Sequence, residues 1–366
     1  MKKLIQVLVV DDSRTAGELL VRELSSDPAI AVVGTARDGQ EAVEFVLRQK
    51  PDVVVMDLQM PRMDGVEATR RIMESQPVPI VAVSASYKAD EVAENFRTLE
   101  AGAVALMAKP SGPGHPEHAE LTRRMIETVK LMSEVRVIRR ARRQPGAGPV
   151  ASGSSVAGAD RGRELRLIAV GVSTGGPPVL QTILSRLPKS LPVPVVIVQH
   201  IAPGFLPGMA EWLELTTGFP VRLPTAGERL LPGVAYLGPD GRHFGVTRDG
   251  RAMLDDGPAE NGLRPAVSFL FRSVADNYGR TAAAVLLTGM GRDGAEELLR
   301  LRQRGAVTIA QDKESSLVHG MPGEAIQLNA AMHVLPPERI AEVLAAAVAG
   351  PPGGAGEGLK SAFGVS

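Results

Sequence analysis

The chain has 366 residues, with 41 Lys and Arg against 41 Asp and Glu, so its formal net charge is zero. That length fits two or three domains, and the balanced charge leaves no global footprint for nucleic acid or an anionic membrane. Cysteine is absent and aromatic residues make up 3%, which excludes disulfides, thiolate nucleophiles and Cys-ligated metals and argues against base-stacking platforms.

The first apolar run, IQVLVV, breaks at two aspartates and is too short for a signal core. No uncharged apolar run reaches membrane-spanning length, so a soluble cytoplasmic protein without direct membrane insertion is expected. Up to about residue 110, the runs IQVLVV, AVVGTA, PDVVVMD, PIVAVSA and AVALMA alternate with helical patterns such as SRTAGELLVRELSS and GVEATRRIMES. Solid apolar runs suit strands buried on both faces, so five such units predict a doubly wound five-stranded α/β domain. KPSGPGHPEHAE then reads as a loop. From about Glu120 to Arg143, Leu121, Met125, Val129, Met132 and Val135 recur at helical spacing. Arg136, Arg139, Arg140, Arg142 and Arg143 make the end of that stretch basic. QPGAGPVASGSSVAGADRG has linker composition. A second α/β domain begins near Leu165, with RLIAVGVS, VPVVIVQH, AAAVLLTG and AVTIAQD as buried strands of a mostly parallel sheet. Short runs between residues 221 and 256, split by Gly, Pro and Asp, predict an inserted hairpin region. The tail from Gly350 has the composition of a disordered segment.

Asp11 and Asp12 end the first predicted strand, Asp57 the third, Ser84 the fourth and Lys109 the fifth. The carboxyl ends of an open parallel sheet share one edge, so these residues converge. Three carboxylates favour a hard cation such as Mg2+, which screens the charge of an incoming phosphoryl donor. Lys109 can neutralise a phosphate and Ser84 can hydrogen-bond it. Any one strand-end aspartate is as easily a cap or a turn former; five matched residues make coincidence a poor account. The set VLVVDDS, VVVMDLQMPRMDG, VSA and KP resembles the receiver domain of response regulators over roughly residues 4–110. That resemblance implies Asp57 as phosphoacceptor, Asp11 and Asp12 as its partners in holding Mg2+, and Ser84 and Lys109 as sensors of the phosphoryl group. Leu106 stands where receivers usually carry an aromatic switch residue, which puts the rotamer switch in question but not phosphorylation.

The second domain opens with GVSTGG, Gly171 to Gly176, at a strand-to-helix turn. Two readings compete for it: a nucleophile elbow presenting Ser173, or a phosphate-binding turn for a nucleotide. Partners favour the first. A serine nucleophile needs a base and the base needs an orienter; His200 ends the next strand and Asp293 follows LLTGMGRDG at a third strand end. The remaining histidines, His115, His118, His243, His319 and His333, lie in loops, a hairpin segment or a late strand. HPEH has a metal-like spacing, but Pro113 and Pro116 break any helix there. The chain order Ser, His, Asp differs from the α/β-hydrolase order of Ser, Asp, His.

GVSTGGPP, IVQHIAPGF, PDGRHFGV, LLTGMGRDGA, AQDKESS and HGMPGEAI together resemble the catalytic domain of CheB-type protein-glutamate methylesterases over roughly residues 165–348. The resemblance implies Ser173 as nucleophile, His200 as general base, Asp293 as orienter and the backbone N–H of Met290 as an oxyanion donor, with Thr174 beside the nucleophile. It implies hydrolysis of glutamate γ-methyl esters without a cofactor, together with glutamine deamidation. Methylated chemoreceptor-type proteins would be the substrates and a CheA-type histidine kinase the phosphodonor. Ala266 and Ser268 stand where the family often has the polar residues of Pro-Ser-Val-Asp. The expected domains are a receiver over 1–118, a helical and flexible linker over 119–164, a methylesterase domain over 165–349 and a disordered tail over 350–366. The rival reading is a response regulator whose output domain only binds a nucleotide or a partner; the arginine-rich stretch is more simply a solvated face than a nucleic-acid site.

Overall fold

The computed structural model describes residues 3–84, 96–116, 118–135, 137 and 164–348. The linker stretch 138–163 and the tail from Gly350 lie outside the described residues.

The first domain runs β1 (Ile5–Val10), α1 (Arg14–Ser25), β2 (Ile30–Ala36), α2 (Gly39–Arg48), β3 (Val53–Asp57), α3 (Gly65–Ser75), β4 (Ile80–Ser84), α4 (Arg97–Ala101), β5 (Ala105–Ala108) and α5 (His118–Met132). Its strands pair in parallel in the order β2-β1-β3-β4-β5. β3 and β4 are buried at every position, which is why they read as unbroken apolar runs rather than as alternation. Short polar side chains start the helices by accepting orphan N–H groups: Asp38 from Glu41 (2.9 Å) and Asp64 from Glu67 (2.8 Å).

The helix α5, at the start of the expected linker, packs on the first domain's sheet. The α5 stripe Leu121, Met125, Val129 and Met132 is buried. Met125, Val129 and Met132 join Val7, Val9, Leu20, Leu24, Val53, Val55 and Val81 in one cluster. One face of the sheet needs covering, and α5 supplies the cover.

The second domain runs β6 (Leu167–Val172), α6 (Gly176–Arg186), β7 (Val195–Gln199), α7 (Leu206–Thr217), β8 (Val221–Arg222), β9 (Ala235–Leu237), β10 (His243–Val246), β11 (Ala252–Asp255), α8 (Val267–Asn277), β12 (Ala282–Leu286), α9 (Ala295–Gln303), β13 (Val307–Gln311), α10 (Met321–Gln327), β14 (His333–Leu335) and α11 (Pro337–Val348). Seven strands form one parallel sheet in the order β14-β13-β12-β6-β7-β9-β8. The expected hairpin region is only partly a hairpin. β10 and β11 pair antiparallel, but β8 and β9 join the main sheet in parallel. From β6 the chain steps outward through β7, then later returns to place β12 on the other flank of β6. That reversal of strand order opens a crevice at the carboxyl ends of β6 and β12, where ligands bind in open α/β sheets.

Candidate active site and acid pocket

Five predicted residues gather at the carboxyl edge of the first sheet. Ligand oxygens of Asp11, Asp12 and Asp57 all lie within 4.8 Å of one another. Asp11 and Asp57 are buried while Asp12 is exposed. Lys109 Nζ sits 2.8 Å from Oδ2 of both Asp11 and Asp57. The Leu58 N–H donates to Asp57 Oδ1 (2.8 Å). Buried Ser84 ends β4, and its carbonyl accepts from Lys109 N–H (2.8 Å). Burial pushes the Asp57 pKa up, and Lys109 offsets this only partly. Burial alone would lower Lys109, but bonds and charges from Asp11 and Asp57 outweigh it and hold its pKa above the usual value. An all-oxygen, carboxylate donor set of this kind suits a hard divalent ion such as Mg2+.

The second site grows from three strand ends. Ser173 follows β6, and Gly175 after it takes a left-handed conformation (φ +79°) that opens α6. A Cβ at Gly175 would lie 2.6 Å from Leu317 Cβ, so the turn needs glycine for both reasons. The Ser173 N–H donates to Thr288 O (3.0 Å). Gln199 Nε2 donates to the carbonyls of both Ser173 and His200 (2.9 Å each). Thr288, fully buried, ties three loops together. Its hydroxyl lies 2.9 Å from Thr174 O and accepts from Val318 N–H (3.0 Å), while its own N–H donates to Gln311 Oε1 (2.8 Å).

His200 follows β7, with its N–H donating to Val172 O (2.9 Å). Its Nε2 lies 3.0 Å from Asp293 Oδ2. Asp293 Oδ2 accepts from Val267 N–H (2.7 Å), and Oδ1 accepts from Ser268 N–H (3.0 Å) and Ser268 Oγ–H (2.6 Å). Those N–H groups are the first turn of α8, whose unpaired donors and positive end favour an anion. Burial works against the Asp293 charge, but His200 and Ser268 outweigh it and hold its pKa below the ordinary carboxylate value. Ser268 therefore has a defined partner even though it departs from the common family pattern. Ala266 offers no side-chain bond at this end of α8, but its N–H donates to His243 Nδ1 (3.3 Å).

Ser173, Thr174, His200 and Met290 line one cavity of about 1120 Å³, with Asp293 buried behind His200. Met290 is half exposed. Residues of the first domain line the same cavity, among them Leu99, Leu106 and Leu121. Beside it, Phe96 stacks on Trp212 (ring centroids 5.2 Å apart). Glu100 Oε1 accepts from Trp212 Nε1–H (3.0 Å) and from Gln181 Nε2–H (3.1 Å). The first domain thus stands across the mouth of the second domain's site.

Other predicted candidates stay apart. His243 stacks on Phe269 and its Nε2 lies 2.9 Å from Pro258 O, a packed structural histidine. His118 Nδ1 lies 2.6 Å from Ser111 O. Among the described residues, HPEH contributes to no metal-spaced cluster; Glu117 lies outside them. Sequence reasoning missed Thr288, Gln199, Gln311 and the bond from Ser268. For the two glutamines a signal was present: each is an amide ending a mostly apolar, largely buried strand.

A protein of Geobacter metallireducens named protein-glutamate methylesterase/protein-glutamine glutaminase 4 is 54% identical over 342 residues, 93% of this chain and 98% of that one. This chain belongs to that family. A second methylesterase/glutaminase, from Nitrosospira multiformis, is 50% identical over 346 residues, 94% of this chain and 98% of its own. The family described as CheB methylesterase matches residues 168–344, and the response regulator receiver domain matches residues 7–119. The solved Thermotoga maritima CheB methylesterase catalytic domain is 38% identical, covers 50% of this chain and 98% of that one, and superposes with a TM-score of 0.48. Family membership supports the esterase reading over an output domain that only binds.

Proposed function

We propose that this protein hydrolyses glutamate γ-methyl esters, and deamidates glutamine side chains, on chemoreceptor-type proteins, through Ser173, His200 and Asp293. The observation that carries the reading is the His200–Asp293 contact of 3.0 Å behind a cavity that Ser173 and His200 both line. Asp293 engages Nε2, which leaves Nδ1 to take the hydroxyl proton. Ser173 Oγ attacks the ester carbonyl carbon as its proton passes to His200. The C–OCH3 bond then breaks, and methanol leaves with that proton. Water, deprotonated by His200, attacks the acyl-enzyme; Ser173 regains its proton and free glutamate departs. With glutamine the leaving group is ammonia. The Met290 N–H stabilises the oxyanion, and losing one such donor costs ~10²–10³-fold in rate. No cofactor enters these steps.

Asp57 accepts the phosphoryl group from a CheA-type histidine kinase in the cytoplasm. Among the described residues no helix is long and apolar enough to cross a membrane. Asp11, Asp12 and Asp57 would hold Mg2+, which when bound screens charge at the phosphoryl group. Lys109 and Ser84 then contact its oxygens. The receiver shares the cavity with Ser173 and so obstructs a protein-sized substrate. Added charge at Asp57 shifts the contact at Phe96, Glu100 and Trp212 and opens access.

The test is methanol release from methylated chemoreceptors, with and without a small phosphodonor. Ser173→Ala abolishes release while Asp57 phosphorylation persists; retained turnover refutes the nucleophile assignment. Removing residues 1–160 raises basal activity, and an unchanged or lower rate in a folded fragment refutes obstruction by the receiver.

A further inference from the structure

We infer that Gly320 is a positioning residue for the oxyanion donor, setting the plane of the Gly289–Met290 peptide so that the Met290 N–H faces the reacting carbonyl. This rests on the esterase reading above. The Gly289 carbonyl oxygen accepts two hydrogen bonds, from Gly320 N–H (3.1 Å) and Met321 N–H (2.9 Å). The Gly289 N–H in turn donates to Val318 O (3.0 Å). A trans peptide is planar, so its C=O and N–H point in opposite directions. Holding the Gly289 carbonyl against the segment that opens α10 therefore turns the Met290 N–H away from that segment. The direction it takes is set by what lies opposite. The Gly289 Cα packs on the nucleophile, since a Cβ built there would come within 2.6 Å of Ser173 Cβ. Met290 lines the cavity with Ser173 and His200, and its N–H donates to no backbone carbonyl among the described residues.

Gly320 is a place where this clamp can be disturbed by bulk alone, without backbone strain. Its φ of −81° and ψ of −73° are open to any residue. A Cβ there would nevertheless lie 2.7 Å from Gly289 O, 2.9 Å from Gly291 N and 3.0 Å from Gly291 O. Those atoms are backbone on either side of Met290, so they cannot swing aside as a side chain would. Gly320→Ala is thus a wedge driven into the two peptides that flank Met290. By contrast, the atoms nearest a Cβ at Gly323, inside α10, belong to the His319 side-chain ring, at 3.0 Å and beyond.

In the full chain, Gly320→Ala is expected to lower kcat for methyl-ester hydrolysis by at least ~10-fold, approaching the ~10²-fold of a lost donor, with KM changed less than about threefold. Affinity for phenylboronic acid, whose adduct on Ser173 mimics the tetrahedral intermediate, falls in parallel. Gly323→Ala controls for general disturbance of α10 and keeps kcat near wild type. A wild-type kcat and boronate affinity in folded Gly320→Ala, judged by melting temperature and Asp57 phosphorylation, overturns the inference. So does an equal loss in Gly323→Ala. A second measurement needs no variant: the Met290 amide proton shifts downfield when wild-type enzyme forms the boronate adduct, and an unmoved resonance overturns the inference. Failure of the esterase reading itself would show separately, as turnover surviving Ser173→Ala.

Discussion

Ser268→Ala isolates one hydroxyl from the machinery that holds Asp293. In the native site that hydroxyl donates to Asp293 Oδ1 at 2.6 Å and accepts from Gly294 N–H at 3.1 Å. A hydrogen bond to a charged group contributes about 1.5–3 kcal/mol, and a buried donor left without an acceptor costs about 1–3 kcal/mol. Asp293 keeps its backbone donors Val267 and Ser268 and its contact with His200, so the net loss should fall at the lower end, about 2 kcal/mol of stability. If about half of that is felt by the imidazolium formed in the transition state, kcat/KM falls about fivefold, since 1.36 kcal/mol is tenfold in rate. The pH dependence has a definite sign. The folded pKa of Asp293 is depressed, so its stabilisation is present above the unfolded carboxylate value of about 3.9 and is lost as pH falls through the folded value. Removing the Ser268 donor raises that folded value, so the variant's deficit is largest at neutral pH and shrinks on acidification. Urea unfolding at pH 7 and at about one unit below the unfolded carboxylate value, together with methanol release at neutral pH, measures both effects. A variant matching wild type in midpoint and kcat/KM would refute the account, as would a deficit that grows on acidification.

Three further outcomes follow from the same contacts. Lys109→Met leaves Asp11 and Asp57 without their shared ammonium and should cost on the order of 3 kcal/mol at neutral pH; millimolar Mg2+ should recover part of the lost melting temperature. Thr288→Val keeps shape but removes the hydroxyl at the junction of three loops. Stranding the Val318 N–H costs about 1–3 kcal/mol, and kcat falls while the phosphorylation rate stays at wild type. Glu100→Ala releases Trp212 and Gln181 from the receiver and should raise basal esterase activity of the unphosphorylated chain, narrowing the activation seen on adding a phosphodonor.

Much of this molecule is legible in its sequence. A strand buried on both faces is apolar along most of its length, so β1, β3, β4, β6, β7 and β12 announce themselves. A parallel sheet sends its functional side chains to one edge, so Asp11, Asp57, Lys109, Ser173, His200 and Asp293 can be gathered from their places at strand ends. What periodicity cannot state is the partner. The stripe on α5 says that one face is buried, but only the packed structure shows it closing the receiver sheet while Leu121 also lines the cavity shared with the second domain. The runs VRLP and VAYL are too short and too broken by Pro and Gly to reveal that they extend the main sheet in parallel.

The sequence by itself determined two α/β domains, the residues at their strand ends and the chemistry those residue types permit, because local patterning and backbone geometry suffice for that. The tertiary structure decided how the ends are held. Ser268 reaches Asp293 across 25 positions, Thr288 reaches Thr174 across 114, and Glu100 reaches Trp212 across 112. Hydrogen bonds at those separations depend on where distant loops come to rest, and no local pattern encodes that.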